Sequence, residues 1–313
     1  GCGTGMTALV LGAMMVNRWF AAQRGVVMGV LTASTATGQL IFLPILAVLV
    51  ERHGWRSAAL TIAGCAAVVI PFALLFMRER PGDVGLSPYG AQADESLPSV
   101  APATESAVSV LRSVARTRDF WLLSASFFIC GASTNGLIGT HLIPACMDHG
   151  IPEVKAAGLL AMMGIFDLIG TTSSGWLSDR FDNRYLLAWY YGLRGLSLLY
   201  LPFSFDIRFA GLSLFAVFYG LDWVATVPPT VRLTANAFGK ERSSIVFGWI
   251  VAGHQLGAAM AAFAAGAMRT YLGNYTRAFL FAGLLCATAT LLVLPIGRSA
   301  KKLEPEPLLA SAE

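Results

Sequence analysis

Asp167, Arg194 and Asp222 stand inside long apolar runs of the sequence. A charge at bilayer depth costs at least ~2.5–3.5 kcal/mol, so each needs a partner, a wet cavity or a protonation event. A carboxylate and a guanidinium in such a place support two kinds of chemistry. One is a permanent ion pair that staples helices together. The other is a switch, in which the carboxylate takes up a proton while the guanidinium turns to an anionic solute. Both readings fit the residue types. A second constellation is GWLSDRFDNR, residues 175–184, where Asp179, Arg180, Asp182 and Arg184 crowd into six residues. Gly175 lets two helices approach, Asp179 can cap or salt-bridge a helix end, and the arginines suit a cytoplasmic loop. Such a cluster serves either as a latch between two lobes or as a purely topogenic basic loop.

The elements that position these residues follow from composition. The 313 residues are 56% hydrophobic and 13% charged, about half the charge density of a soluble domain. In lipid every backbone polar group must be paired within the segment, so apolar runs of this length mean helices. The expected fold class is an all-α polytopic membrane protein. Nine spans are expected: 1–17, 26–50, 56–77, 120–146, 155–177, 185–205, 208–235, 244–267 and 277–297. A polar stretch, QADESLPSVAPATES, separates the third from the fourth, and AVSVLRSVARTRD after it has the pattern of a short amphipathic helix lying on the membrane surface. Lys and Arg divide unevenly between alternate loops, fourteen against six, which puts the linker, the 175–184 loop and the C-terminus on the cytoplasmic side. Counting residues inward at 1.5 Å each sets Asp167 roughly 18 Å, and Arg194 roughly 15 Å, from that surface, with Asp222 roughly 21 Å from the opposite one. The charges converge near the midplane, on consecutive antiparallel helices.

Other residues give weaker signals. His141 and His254 are candidate proton relays or packing histidines. Asn135 and Thr140 either face a cavity or serve as interhelical glue. Gly29 and Gly38 read as kink and packing residues. The five cysteines lie far apart with no Cys/His clustering, so neither a metal site nor a disulfide framework is indicated. No cofactor is implied. Scattered basic residues give no nucleic-acid footprint. No GxxxxGK[ST] loop and no catalytic constellation is present, so the expected partners are a small-molecule solute and the lipid bilayer, with a gradient as the energy source. The reading is of a protein that is not an enzyme and works as a monomer.

GWLSDRFDNR resembles the G-x-L-[AS]-D-R-x-x-[RK]-[RK] loop of the major facilitator superfamily, in its second-half copy between helices eight and nine. Gly175, Leu177, Ser178, Asp179, Arg180 and Arg184 match, and Asn183 replaces the first basic residue of the closing pair. RWFAAQRGVVMG (18–29) resembles the loop between helices four and five of the monocarboxylate and oxalate/formate-like branch. RERPGDVGL (78–86) and RTRDFWLL (116–123) resemble the exit from helix six and the entry to helix seven. The resemblance implies a twelve-helix fold of which helices four to twelve are present. Residues 1–77 would be the end of the first half, 78–118 the central linker, 119–298 the second half and 299–313 a cytoplasmic tail. The Gly start of the sequence fits a chain lacking its first three helices. It also implies a secondary transporter in the cell membrane, a proton-coupled symporter of a small organic acid. Its substrate would sit at the midplane, and Gly175, Asp179, Arg180 and Arg184 would form the gating loop. The branch carries an Arg four residues after the Asp of its eighth helix. Here that position is Thr171, which puts a monocarboxylate substrate in question. Two alternatives stand beside this: a non-transporting fragment, with negligible uptake by residues 1–313 alone, and a transporter-like solute sensor.

Overall fold

The computed structural model describes residues 9–91, 106–207 and 209–297. Residues 1–8 of the first expected span, Arg208, most of the polar linker and the 299–313 tail lie outside the described residues. Helix α1 runs Leu9–Trp19, α2 Arg24–His53 and α3 Trp55–Phe76, followed by a short linker helix, α4, at Ala107–Val114. Next come α5 (Arg118–Gly131), a π-helical stretch (Ala132–Ile138), α6 (Gly139–Asp148), α7 (Glu153–Ser178) and α8 (Asn183–Ser204). The chain ends in α9 (Phe209–Asp222), α10 (Val227–Phe238), α11 (Lys240–Leu272) and α12 (Thr276–Val293).

Among the described residues these form nine runs besides the linker helix α4, because α5 to α6 and α9 to α10 are each one interrupted rod. Six of the runs are long and apolar enough to cross a membrane, so this is a multi-pass membrane protein. The nine runs match the nine expected spans, with ends displaced by a few residues. Two interruptions fall inside these spans. The π stretch widens the rod inside the expected 120–146 span, and the 208–235 span breaks at residues 223–226. The second break has a visible cause. Pro228 and Pro229 lack the N–H groups that would bond the carbonyls of Val224 and Ala225, so the helix cannot continue through them. They sit instead in the first turn of α10, where no donor is required.

Helices α5 to α12 form one packed bundle in which α8 lies on α12, α5 on α11, and α9 on both α7 and α8. The N-terminal helices join it mainly through α2, which crosses α7. That crossing is main chain against main chain. A Cβ on Gly29 would lie 2.8 Å from the Thr171 carbonyl oxygen, and one on Gly175 3.0 Å from the Gly29 Cα. Small residues let backbones approach this closely in lipid, where packing rather than hydrophobicity drives association. Gly38, by contrast, has open space around it, so its expected packing role is not found.

The linker helix α4 exists, but its apolar face is not given to lipid. Val110 and Val114 are buried against α11, and the Trp249 indole N–H donates to the Ala107 carbonyl (3.0 Å). The segment 18–29 and the chain from 78 to 89 hold each other. Arg18 pairs with Glu79 at 2.5 Å, and the backbones of Trp19, Ala21 and Ala22 exchange hydrogen bonds with Tyr89.

Two glycines of α7 give opposite predictions. Gly175→Ala meets backbone that cannot yield and should lower stability by about 1–3 kcal/mol. Gly158→Ala enters open space and should raise stability by about 0.5–1 kcal/mol, since Ala is the better helix former. Unfolding of the two purified variants beside the parent chain, in one detergent, checks both signs.

Candidate functional site

The break between α9 and α10 exposes backbone groups in the middle of the bundle, and the buried charges answer them. Arg194 on α8 is fully buried. Its Nε donates to Asp222 Oδ2 at 2.7 Å, and its Nη2 donates to the carbonyls of Asp222 (2.6 Å) and Trp223 (3.1 Å). Its Nη1 reaches Cys130 Sγ at 3.0 Å. One guanidinium thus ties α8 to α5 and to the last carbonyls of α9. Asp167 on α7 answers the opposite polarity. Its Oδ1 accepts the Val224 N–H at 2.9 Å and the Thr171 hydroxyl at 2.6 Å. Ser174 donates to the Ala225 carbonyl (2.5 Å), the one orphaned by Pro229. Thr226 stands 3.3 Å from Cys130. Asp222 Oδ1 is buried with no hydrogen-bond partner among the described residues.

The expected residues divide accordingly. Asp167, Thr171, Arg194 and Asp222 come together around the break. Arg194 pairs with Asp222, and Asp167 takes N–H and O–H donors instead of a guanidinium. Thr171, in the slot where the resembling branch has Arg, serves Asp167 as a donor one turn away. His254 on α11 lies beside Cys130 with its ring against Phe127, centroids 4.9 Å apart. His141 stands apart at the Asp148 end. Its Nε2 meets the Ala262 carbonyl (2.8 Å) and its Nδ1 the Tyr275 hydroxyl (3.2 Å). Asn135 is exposed on the π stretch, and its carbonyl accepts from Thr140 (2.8 Å). π-Bulges often mark functional positions because they turn side chains out of the regular helical register. Here the Tyr219 hydroxyl, from α9, donates to the Ser133 carbonyl within the stretch (2.8 Å).

Sequence reasoning missed Cys130, Ser174 and Thr226, whose small polar side chains carry no spacing signal. It also missed Arg232, which was visible as a lone cation late in the 208–235 run.

At the 175–184 loop, Asp179 bridges separate parts of the chain. Its carboxylate accepts the N–H groups of Gly25 (3.1 Å) and Val26 (3.2 Å) at the start of α2 and is paired with Arg232 of α10. A carboxylate on a helix N-terminus gains from the exposed N–H groups and the helix dipole. Arg180 lies over the Trp176 ring at 4.0 Å. Asn183 is buried and donates to the Ser178 carbonyl (3.2 Å), a place where the usual basic residue would be desolvated. Asp182 caps α8 through the Arg184 N–H (3.0 Å). The hydrogen-bonded Arg184 side chain holds its carboxyl below the usual Asp range.

The match to known proteins now fits this geometry. The family model described as Major Facilitator Superfamily matches residues 1–233 and 175–309, so the chain belongs to that superfamily. It is 26% identical over 306 residues to monocarboxylate transporter 12-B of Danio rerio, covering 90% of this chain and 62% of that protein. It is 27% identical over 274 residues to the MFS-type transporter YcxA of Bacillus subtilis, covering 85% of this chain and 61% of that protein. The chain therefore spans about three fifths of the length of these curated relatives. Among solved structures, a variant of the fucose:proton symporter FucP of E. coli superposes with a TM-score of 0.66 at 17% identity, over 93% of this chain and 73% of that one. That likeness is one of fold.

Two outcomes follow. Arg194→Leu leaves a buried carboxylate and two carbonyls uncompensated and should cost about 3–5 kcal/mol, whereas Arg194→Leu combined with Asp222→Leu should recover much of it; a double-mutant cycle by denaturant unfolding reads the coupling. For the cap, the sign is set by a lowered folded-state value. Asp182 contributes fully above the ordinary Asp pKa of about 3.9, and loses its contribution as pH falls through the depressed one. Asp182→Asn should therefore be less stable than the parent at neutral pH, by under about 1 kcal/mol for so exposed a pair, and the two should converge in acid.

Proposed function

We propose that this protein is a proton-coupled secondary transporter of a small organic anion, working by alternating access as a multi-pass protein of the cell membrane. The observation that carries the reading is a charge imbalance at the broken helix. Asp167 and Asp222 face a single guanidinium, Arg194, so one negative charge is left at bilayer depth. Both donors to Asp167 reach the same oxygen, Oδ1, which leaves Oδ2 as the seat for a proton. A proton there makes the cluster neutral, and its release requires access to water. Discontinuous helices at the midplane are where transporters of several folds place ion and substrate sites. Asn135, exposed on the π stretch of one interrupted rod, is the polar side chain offered to the solute. Names of relatives support the two halves of the proposal: monocarboxylate transport for one and proton symport for the FucP neighbour.

The Asp179 junction is the latch in this scheme. It lies on the side that the Lys and Arg distribution marks as cytoplasmic. With Asp179 seated on α2 that side is closed, and parting α2 from α7 opens it. Gly175, Asp179, Arg180 and Arg184 work here together with Arg232.

Uptake of labelled lactate into proteoliposomes, made with the complete coding frame that contains these residues, tests the proposal. An inside-alkaline gradient should accelerate uptake severalfold. Asp167→Asn keeps an acceptor for Thr171 and Val224, so it should abolish that acceleration while lactate counterflow persists. Uptake of organic anions that ignores the gradient, or an Asp167→Asn variant that still responds to it, overturns proton coupling at this site.

A further inference from the structure

Beside the Asp179 junction lies a cavity of about 890 Å³, within the size range of small-molecule sites. Its chemistry is lopsided. Among the described residues three arginines line it, Arg24, Arg180 and Arg232, against the single carboxylate of Asp179. Trp176 and Val231 add an apolar wall. The arginines are positioned in different ways. Arg24 donates through Nε to the Phe20 carbonyl (2.5 Å). Arg180 rests its face on Trp176, which leaves the in-plane N–H groups pointing outward from the stack. Arg232 donates one Nη1–H to Asp179, its side chain is 39% exposed, and a guanidinium has five N–H donors to offer. The turn that brings Arg24 to the cavity is itself unusual. Gln23 has φ 56°, the one positive value at a non-glycine among the described residues. Such a backbone persists only where its surroundings hold it, and it marks functional segments more often than others.

We infer that this cavity binds a small organic anion, a carboxylate or phosphate on an apolar body, with its charge between Arg180 and Arg232 on one side and Arg24 on the other. Guanidinium groups suit such anions because their planar forks match the oxygen geometry. Arg180 and Arg232 ride on α7 and α10, whereas Arg24 opens α2. A bound anion therefore repeats the bridge that Asp179 makes and holds α2 against α7. The site is separate from the midplane cluster and depends neither on which solute crosses the membrane nor on proton coupling.

Calorimetric titration of the chain, in nanodiscs of phosphatidylcholine, with phenyl phosphate tests this, with benzyl alcohol as the uncharged counterpart. Phenyl phosphate should bind saturably and benzyl alcohol should not. Arg180→Gln with Arg232→Gln should weaken binding at least about tenfold, the loss of two charge-assisted contacts. Arg112→Gln with Arg116→Gln, exposed on α4 and just after it, should leave it unchanged. Arg232→Gln also releases Asp179, so Arg180→Gln alone, which leaves the Asp179 contacts intact, keeps the test valid if the double variant folds poorly. Amide exchange over residues 20–26 should slow when phenyl phosphate is bound. If nanodiscs containing phosphatidylglycerol compete with phenyl phosphate, the natural anion is a lipid headgroup; if they do not, it is a soluble solute. Both outcomes retain the site. Absence of saturation, equal binding of benzyl alcohol, an equal loss in the α4 variant, or unaltered exchange over 20–26 overturns it.

Discussion

The structure depends on satisfying a helix that breaks where water is absent. Two successive prolines remove two donors, and the chain between Asp222 and Val227 then presents N–H and C=O groups that lipid cannot hydrogen-bond. Arg194 takes the carbonyls, Asp167 takes the Val224 N–H, and Ser174 takes the Ala225 carbonyl. Two neighbouring helices, α7 and α8, are therefore fixed in register by one unwound segment. The charges that are so costly in hydrocarbon are retained because a half-answered break would be costlier still. Arg suits this place and Lys would not. Four of its N–H contacts leave in different directions from one rigid plane, a pattern that a point charge on a flexible stem does not reproduce.

The same arrangement gives the cluster a division of labour. Arg194 is sealed on all sides and acts as a brace in the state described. Asp167 sits at the edge of that brace, held by two donors on one oxygen. An element held this way can change its charge without unpicking the guanidinium network. In the proposed cycle the bracing falls to Arg194 and the proton to Asp167. The Asp179 junction has a different logic, because its carboxylate connects elements far apart in sequence and is reached by donors from both.

Much of this was legible in the sequence, and the gaps have physical reasons. Apolar run lengths set the helices to within a few residues, and the convergence of Asp167, Arg194 and Asp222 followed from counting along them. Which charge pairs with which was not legible, since it depends on the azimuth of each helix, and that is set by packing. The two successive prolines of Val-Pro-Pro-Thr stand in plain sight in the sequence, but the partners of the break, Ser174, Thr226 and Cys130, are common small residues whose role appears only across the helix interface. The π stretch had no signal, as nothing in ASTNGLI distinguishes it from an α-helical run. The amphipathic pattern of α4 was readable, but a face that suits lipid suits α11 equally well. Asn183 looked like a departure from a basic motif and is instead a buried cap on the end of α7.

The meeting of α2 and α7 at Gly25, Gly29 and Gly175 also has a mechanical meaning. Helix α7 has 26 residues, or about 39 Å at 1.5 Å each, and its main-chain contact with α2 lies near one end. A fulcrum placed there gives a long lever arm. A rotation of about 10° about Gly175 displaces the far end at Glu153, roughly 33 Å away, by roughly 6 Å, and the near end by almost nothing. Small angular changes thus widen or narrow the Asp148 side while the Asp179 side stays shut. Opening the Asp179 side requires the two helices to part at the fulcrum itself.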